Sequence, residues 1–174
     1  MTRQVVLFIA TSLDGYIARP NGDISWLEAV QGEGDNGFAA FYETIDTLIM
    51  GRKTYDHLLE LTNNQYPHAD KESYVFSYTE QRVDSNVTFT NENVALFMEK
   101  LKQKQGKNIW LVGGAGIVEA FMADDLVDEL ILTTAPVILG NGIPLFRECI
   151  PEGKWSLVES KRLGEFVQSH YVRG

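Results

Sequence analysis

The chain has 174 residues and a mass of 19.6 kDa, the size of one ordinary domain. A domain of that length buries roughly 70% of its unfolded surface and needs no covalent staples. Fifteen basic against twenty-four acidic side chains leave a net charge of -9 and a pI near 4.8. That balance argues against nucleic acid and anionic membranes as partners, because each phosphate contact needs a cation.

From the N-terminus, Val5 to Thr11 is a continuous apolar run of strand length, as expected where a sheet is covered on both faces. Asp14-Gly15 stops it well below the ~18 residues of a membrane span, and no A-x-A-like cleavage site follows. A soluble, cytoplasmic protein is expected. A loop from Ser12 to Ser25 carries turn signals at Asp14-Gly15 and Asn21-Gly22, and is closed by Trp26 and Leu27. The glycine-rich, acidic stretch Gln31 to Gly37 leads into a helix predicted over Phe38 to Ile45. Thr47 to Met50 reads as a second buried strand, followed by Gly51 and a helix starting near Lys53. Tyr74 to Ser77 and Val87 to Phe89 are the next strands. Asn93 is a candidate N-cap for a helix with Val94, Phe97, Met98 and Leu101 on its apolar face, and Gly106 a candidate terminator. Ile109 to Val112 is a strand running into Gly113-Gly114-Ala115-Gly116 and a short helix. Glu129 to Leu139 reads as one long strand, and Trp155 to Ser160 with Phe166 to Val172 as an antiparallel hairpin. No repeat or linker divides the chain, so residues 1–174 form a single domain. The alternation predicts an α/β sandwich with a mostly parallel central sheet and an antiparallel C-terminal edge.

In such sheets ligands bind beyond the carboxyl ends of the strands. After Met50 come Gly51, Arg52, Lys53 and Thr54: a tight exit, a helix start with free N–H groups, two cations and a hydroxyl. The spacing of a Walker A loop is absent, and two solvated charges at a helix start are the plainer alternative. After Val112, consecutive glycines allow close approach by a ligand or a neighbouring strand. Glu119 stands where a G-x-G-x-x-G fingerprint would end, so this is not a Rossmann motif. Ser77, Tyr78 and Thr79 offer hydroxyls that bind phosphate or cap a turn. The histidines, His57, His68 and His170, are scattered without metal-ligand spacing. The single cysteine, Cys149, excludes an internal disulfide framework and a multi-cysteine zinc site.

Taken in order, S-L-D-G-Y-I-A (12–18), N-G-D-I-S-W (21–26), I-M-G-R-K-T-Y (49–55), V-F-S (75–77), W-L-V-G-G-A-G-I-V (110–118) and D-E-L-I-L-T-T-A-P-V-I-L-G-N-G-I-P-L-F (128–146) resemble the dihydrofolate reductase superfamily. The first and last segments are most similar to the reductase domain of bacterial riboflavin biosynthesis and to its stand-alone relatives. The resemblance implies a three-layer sandwich and NADPH as hydride donor. It implies Gly51, Arg52, Lys53 and Thr54 around the cofactor phosphates, with Arg52 nearest the 2′-phosphate, flanked by Ser77 and Tyr78. Gly113, Gly114, Ala115, Gly116 and Ile117 would pass beneath the pyrophosphate and nicotinamide, and Ala10 and Ile17 would meet the nicotinamide. Asp35 falls near the carboxylate that folate reductases place against the pterin, and Thr133 matches the threonine that hydrogen-bonds it. Asp35 reads equally as a helix cap, because the segment around it does not match the family pattern. Lys71 is the nearest substitute for the arginine that clamps a folate tail, and Val118 stands where an aromatic is usual. The implied substrate is a pterin- or pyrimidine-type heterocycle, and the implied assembly a homodimer. A true folate reductase and a non-catalytic nucleotide-binding module on the same fold are the alternatives.

Overall fold

The computed structural model describes residues 2–79 and 81–174. Eight strands form one sheet: β1 (Val5–Thr11), β3 (Ile45–Gly51), β4 (Glu72–Phe76), β5 (Thr88–Thr90), β6 (Asn108–Gly113), β7 (Glu129–Thr134), β9 (Trp155–Leu163) and β10 (Phe166–Arg173). Their order is β5-β4-β3-β6-β1-β7-β10-β9. Every pairing from β5 to β7 is parallel, and only the β7–β10 and β10–β9 pairings are antiparallel. The predicted class, a mostly parallel α/β sandwich with an antiparallel C-terminal hairpin, is the observed one.

Successive side chains of a strand point to opposite faces, and here both faces are covered. Val5 and Leu7 enter one core with Ile49, Ile109 and Leu111. That core is closed by α4 (Val94–Gln103) through Phe97, Met98 and Leu101, and by α5 (Ala115–Ala123) through Val118 and Phe121. Val6 enters the other core with Leu48, Met50, Val75 and Trp110. It is closed by Phe41 of α2 (Phe38–Tyr42) and Tyr55 of α3 (Arg52–Leu61). A small third cluster joins Trp26, Ala135 and Phe166. Trp26 lies in α1 (Ser25–Glu28), and its indole nitrogen is buried with no acceptor among the described residues.

Three short elements escaped the sequence reading: α1, β2 (Tyr16–Ala18) and β8 (Ile143–Pro144), the last two paired antiparallel. The segment after β1 is therefore anchored at its start. Asp14 accepts from the amides of Leu139 at 3.1 Å and Gly140 at 2.8 Å, and Leu145 N donates to Gly15 O at 3.0 Å. The strand expected over Glu129 to Leu139 ends at Thr134, because Pro136 has no amide to extend a ladder. The helix expected over Phe38 to Ile45 ends at Tyr42, and Ile45 already belongs to β3.

Gly106 is not a left-handed helix terminator. α4 stops at Gln103 with Lys104 extended, and Gly106 is not among the residues of positive φ. A Cβ on Gly106 would lie 2.6 Å from Asp46 Oδ2 and 3.0 Å from Arg3 Cζ, so the position is kept small by the ion pair of buried Arg3 with partly exposed Asp46.

Asn93 is the expected N-cap: its Oδ1 accepts from Ala95 N at 3.0 Å and Leu96 N at 3.2 Å. Asn93→Ala should lower unfolding free energy by about 1 kcal/mol, measured as a shifted urea midpoint with an unchanged slope.

Candidate functional site

The parallel pairings bring the carboxyl ends of β1, β3, β6 and β7 to one edge of the sheet. Met50 lies opposite Gly113, and Gly51 opposite Phe76, so the exits of β3, β4 and β6 are neighbours. α3 begins directly after Gly51 and α5 directly after Gly114, and neither start has a side-chain cap. Their first N–H groups therefore lack the acceptor that Asn93 supplies to α4. Two helix N-termini without side-chain caps at one sheet edge suit an anion better than either does alone.

The glycines there answer a packing demand. Gly113 has φ +132° and a Cβ on it would meet Ile9 Cδ1 at 3.0 Å. Gly114 has φ +93° and a Cβ would lie 2.9 Å from Thr54 Oγ1. Thr54 and Gly114 thus press the two helix starts together. Arg52 is half-buried and bonds Asp56 at 2.8 Å, and Arg82 reaches the other oxygen of the same carboxylate at 2.7 Å. Lys53 is exposed. Ser77 is buried at the end of β4, with its amide bonded to Thr90 O at 2.9 Å, while Tyr78 is exposed.

Of the remaining expected cofactor positions, Ala115 and Ile117 are buried in α5, Gly116 is exposed, and Ile17 packs from β2 against the first core. Val118 is fully buried in that core. Ala10 instead opens into a separate cleft.

That cleft holds about 330 Å³. Phe8 and Ala10 of β1, Thr133 of β7 and Phe166 of β10 make its floor and one wall. Leu27, Glu28 and Val30 close it from α1 and the residues after it, and Asp35 and Asn36 close it from the turn before α2. Asp35 and Thr133, chosen for a shared role, do both line this cleft. The hydrogen bond expected between them is absent, because each is engaged elsewhere. Asp35 caps α2, accepting from Ala39 N at 2.7 Å and Gly37 N at 3.0 Å. Thr133 Oγ1 accepts from Gln168 Nε2 at 3.0 Å, and the same nitrogen donates to Asn36 O at 3.2 Å. Gln168 is almost fully buried, so it fixes the Asp35–Gly37 turn against the sheet.

The Ala39 amide first, then the Gly37 amide, hold the Asp35 carboxyl below its ordinary value of 3.8 despite the opposing effect of desolvation. Asp35 is therefore ionised at neutral pH: it accepts hydrogen bonds and does not donate a proton. Lys71 does not line the cleft; its ammonium stands 4.6 Å from the Tyr42 ring centroid.

Phe8, Leu27, Glu28, Val30, Asn36 and Phe166 were not foreseen as cleft residues. The one local signal was period two on β1, which puts Phe8 and Ala10 on the same face. No helix among the described residues is long and apolar enough to cross a membrane, and none of their acidic, histidine or cysteine clusters suits a metal ion.

A mostly parallel sheet with its ligand-facing loops on the carboxyl edge and an antiparallel hairpin on one flank is the dihydrofolate reductase type of fold. Within that class the chain belongs to the RibD C-terminal domain family, whose profile matches residues 3–169. It is 50% identical over 174 residues to the uncharacterized protein YwjB of Bacillus subtilis (strain 168), covering 99% of each chain. It is 38% identical over 154 residues to YyaP of the same organism, also uncharacterized, covering 83% of this chain and 80% of the other. Among solved structures, a Shewanella sp. PV-4 protein provisionally assigned to riboflavin biosynthesis superposes with a TM-score of 0.88 at 33% identity, covering 100% of this chain and 99% of that one. The Thermotoga maritima diaminohydroxyphosphoribosylaminopyrimidine deaminase/5-amino-6-(5-phosphoribosylamino)uracil reductase shares the fold at a TM-score of 0.70 and 15% identity. This chain spans 57% of that two-activity protein.

Because the folded-state carboxyl of Asp35 titrates below its unfolded value, its contribution to stability is present above pH 3.8 and lost as pH falls through the lower folded value. Asp35→Asn should lower the melting temperature at pH 7, and the gap from wild type should close as melts are repeated below pH 3.8.

Proposed function

We propose that the protein is a nicotinamide-nucleotide-dependent reductase with NADPH as donor, acting on a planar heterocycle held in the cleft beside β1. The observation that carries this reading is the pair of uncapped helix starts, α3 and α5, pressed together by Thr54 and Gly114 with Arg52 beside them. These residues fit a dinucleotide: amides without side-chain caps and the dipoles of two helices for the phosphates, and a guanidinium for the 2′-phosphate. Family membership, and likeness to proteins named as riboflavin-biosynthesis reductases, support the reaction class. A cytoplasmic location, expected from the sequence, and a homodimeric state, implied by the resemblance alone, belong to the same proposal.

When bound, the cofactor supplies a hydride to an electrophilic C=N or C=O carbon. The chain's own part is positioning. Gly51–Thr54 and Gly113–Gly116 hold the phosphates and set the depth of the nucleotide. The small side chain of Ala10 leaves room for the reacting ring at the boundary between crevice and cleft. Ionised Asp35 accepts a hydrogen bond from a ring N–H or amino group, and Thr133, whose oxygen already accepts from Gln168, still has its hydroxyl proton to donate. Leu27, Val30 and Phe166 exclude water from the reacting face. The proton that balances the hydride comes from solvent, since Asp35 carries none to give.

One observation favours the alternative of a nucleotide-binding module without turnover: both oxygens of Asp35 already serve the α2 amides. NADPH binding with no oxidation by any pterin or pyrimidine acceptor would select that alternative.

Titration of NADPH against tryptophan fluorescence should show saturable binding. Arg52→Ala should weaken NADPH roughly tenfold, the worth of one charge-assisted hydrogen bond, and leave NADH within about twofold. Equal losses for both nucleotides would remove Arg52 from the 2′-phosphate.

A further inference from the structure

We infer that the cleft selects against negative charge, so that its substrate is an unphosphorylated heterocycle, neutral or cationic; this deepens the reductase reading above and rests on it. Three observations carry the inference, and each concerns a different kind of anion donor.

The first is the lining. Among the described residues, the ionisable side chains that line the cleft are the carboxylates Glu28 and Asp35, both exposed, with no lysine, arginine or histidine beside them.

The second is the backbone. Amides at the cleft rim are already given to the protein's own acceptors. Gly37 N and Ala39 N, at the start of α2, go to Asp35. Gln31 N goes to Glu165 Oε2 at 2.9 Å, and Glu33 N to Asn36 Oδ1 at 2.9 Å. An incoming phosphate would have to displace two carboxylates from their amides and then lie beside them, where like charges repel.

The third is the next space along the sheet. A second groove of about 320 Å³ shares Phe8 with the cleft. Its two basic groups each stand beside a glutamate: Lys161 Nζ lies 4.0 Å from Glu159, and His170 Nε2 lies 2.7 Å from Glu129. Gln168, which also lines this groove, is neutral and already bonded to Asn36 and Thr133. The basic side chain nearest the rim in sequence, Arg162, turns its Nε to Gly164 O at 2.7 Å. Outside the cleft, Lys53 is exposed at the start of α3. The named substrate of the Thermotoga maritima relative carries a phosphate; on this inference the present chain differs from it in substrate charge.

The test is calorimetric titration of the NADPH-loaded protein with a matched pair: 5-amino-6-ribosylaminouracil and its 5-phosphate. The unphosphorylated compound should bind at least roughly tenfold tighter, with the gap narrowing as salt is raised. Glu28→Lys should narrow the gap by improving the phosphorylated ligand, and Arg162→Ala should leave it unchanged. Equal or tighter binding of the phosphorylated compound overturns the inference. So does a loss confined to that compound in Arg162→Ala, or binding of neither compound. Failure of NADPH itself to bind overturns the cofactor reading, and the same pair titrated without it still decides the preference for charge.

Discussion

β1 has a parallel neighbour on each side, β6 in the register Val5↔Ile109 and β7 in the register Val6↔Glu129. This double pairing is the constraint on which the site depends. A parallel strand must be reached by a crossover, so the chain leaves β1, builds β3, β4 and β5, and returns through α4 to insert β6 between β3 and β1. Only then do the exits of β3 and β6 become neighbours, and only then can Thr54 meet Gly114. The two helix starts are therefore a consequence of sheet order, and their glycines follow from how closely the two loops approach.

The division of charge follows from the same frame. Two helices point their N-termini at the carboxyl edge of the sheet without side-chain caps, so the positive ends of their dipoles face that edge. On the other side of β1 the short helix α2 also points its N-terminus at a ligand space, but Asp35 has already neutralised it. One capping carboxylate thus converts what would be an anion-binding end into an acidic wall. A chain of net charge -9 thus sets two uncapped helix starts on one side of β1 and the carboxylates Glu28 and Asp35 on the other.

Much of this was legible in residue order, for identifiable reasons. Strands buried on both faces announce themselves as unbroken apolar runs, and Val5–Thr11, Ile45–Gly51 and Asn108–Gly113 appeared within two residues of their ends. The Asn93 cap is a local pattern and was found locally. The elements that escaped depend on distant partners: β2 is three residues long and exists through its pairing with β8, some 126 residues later. Asp35 was placed by counting from Gly51, yet its engagement with α2 depends on the positive φ values of Asn36 and Gly37, which no periodicity reports. Thr133 was assigned to Asp35 by the family resemblance, and nothing in the order of residues brings Gln168 to it. Phe166, which helps form the cleft, reads in sequence only as the start of a hairpin strand.

Gln168 ties Thr133 of β7 to the turn at Asn36, 132 residues earlier in the chain. No partial fold can hold the finished cleft, since the first strand, the turn before α2 and the last strand must all be in place before its walls meet. Formation of the cleft is therefore as cooperative as folding itself, and occupancy of this one small space is a measure of the integrity of the whole polypeptide.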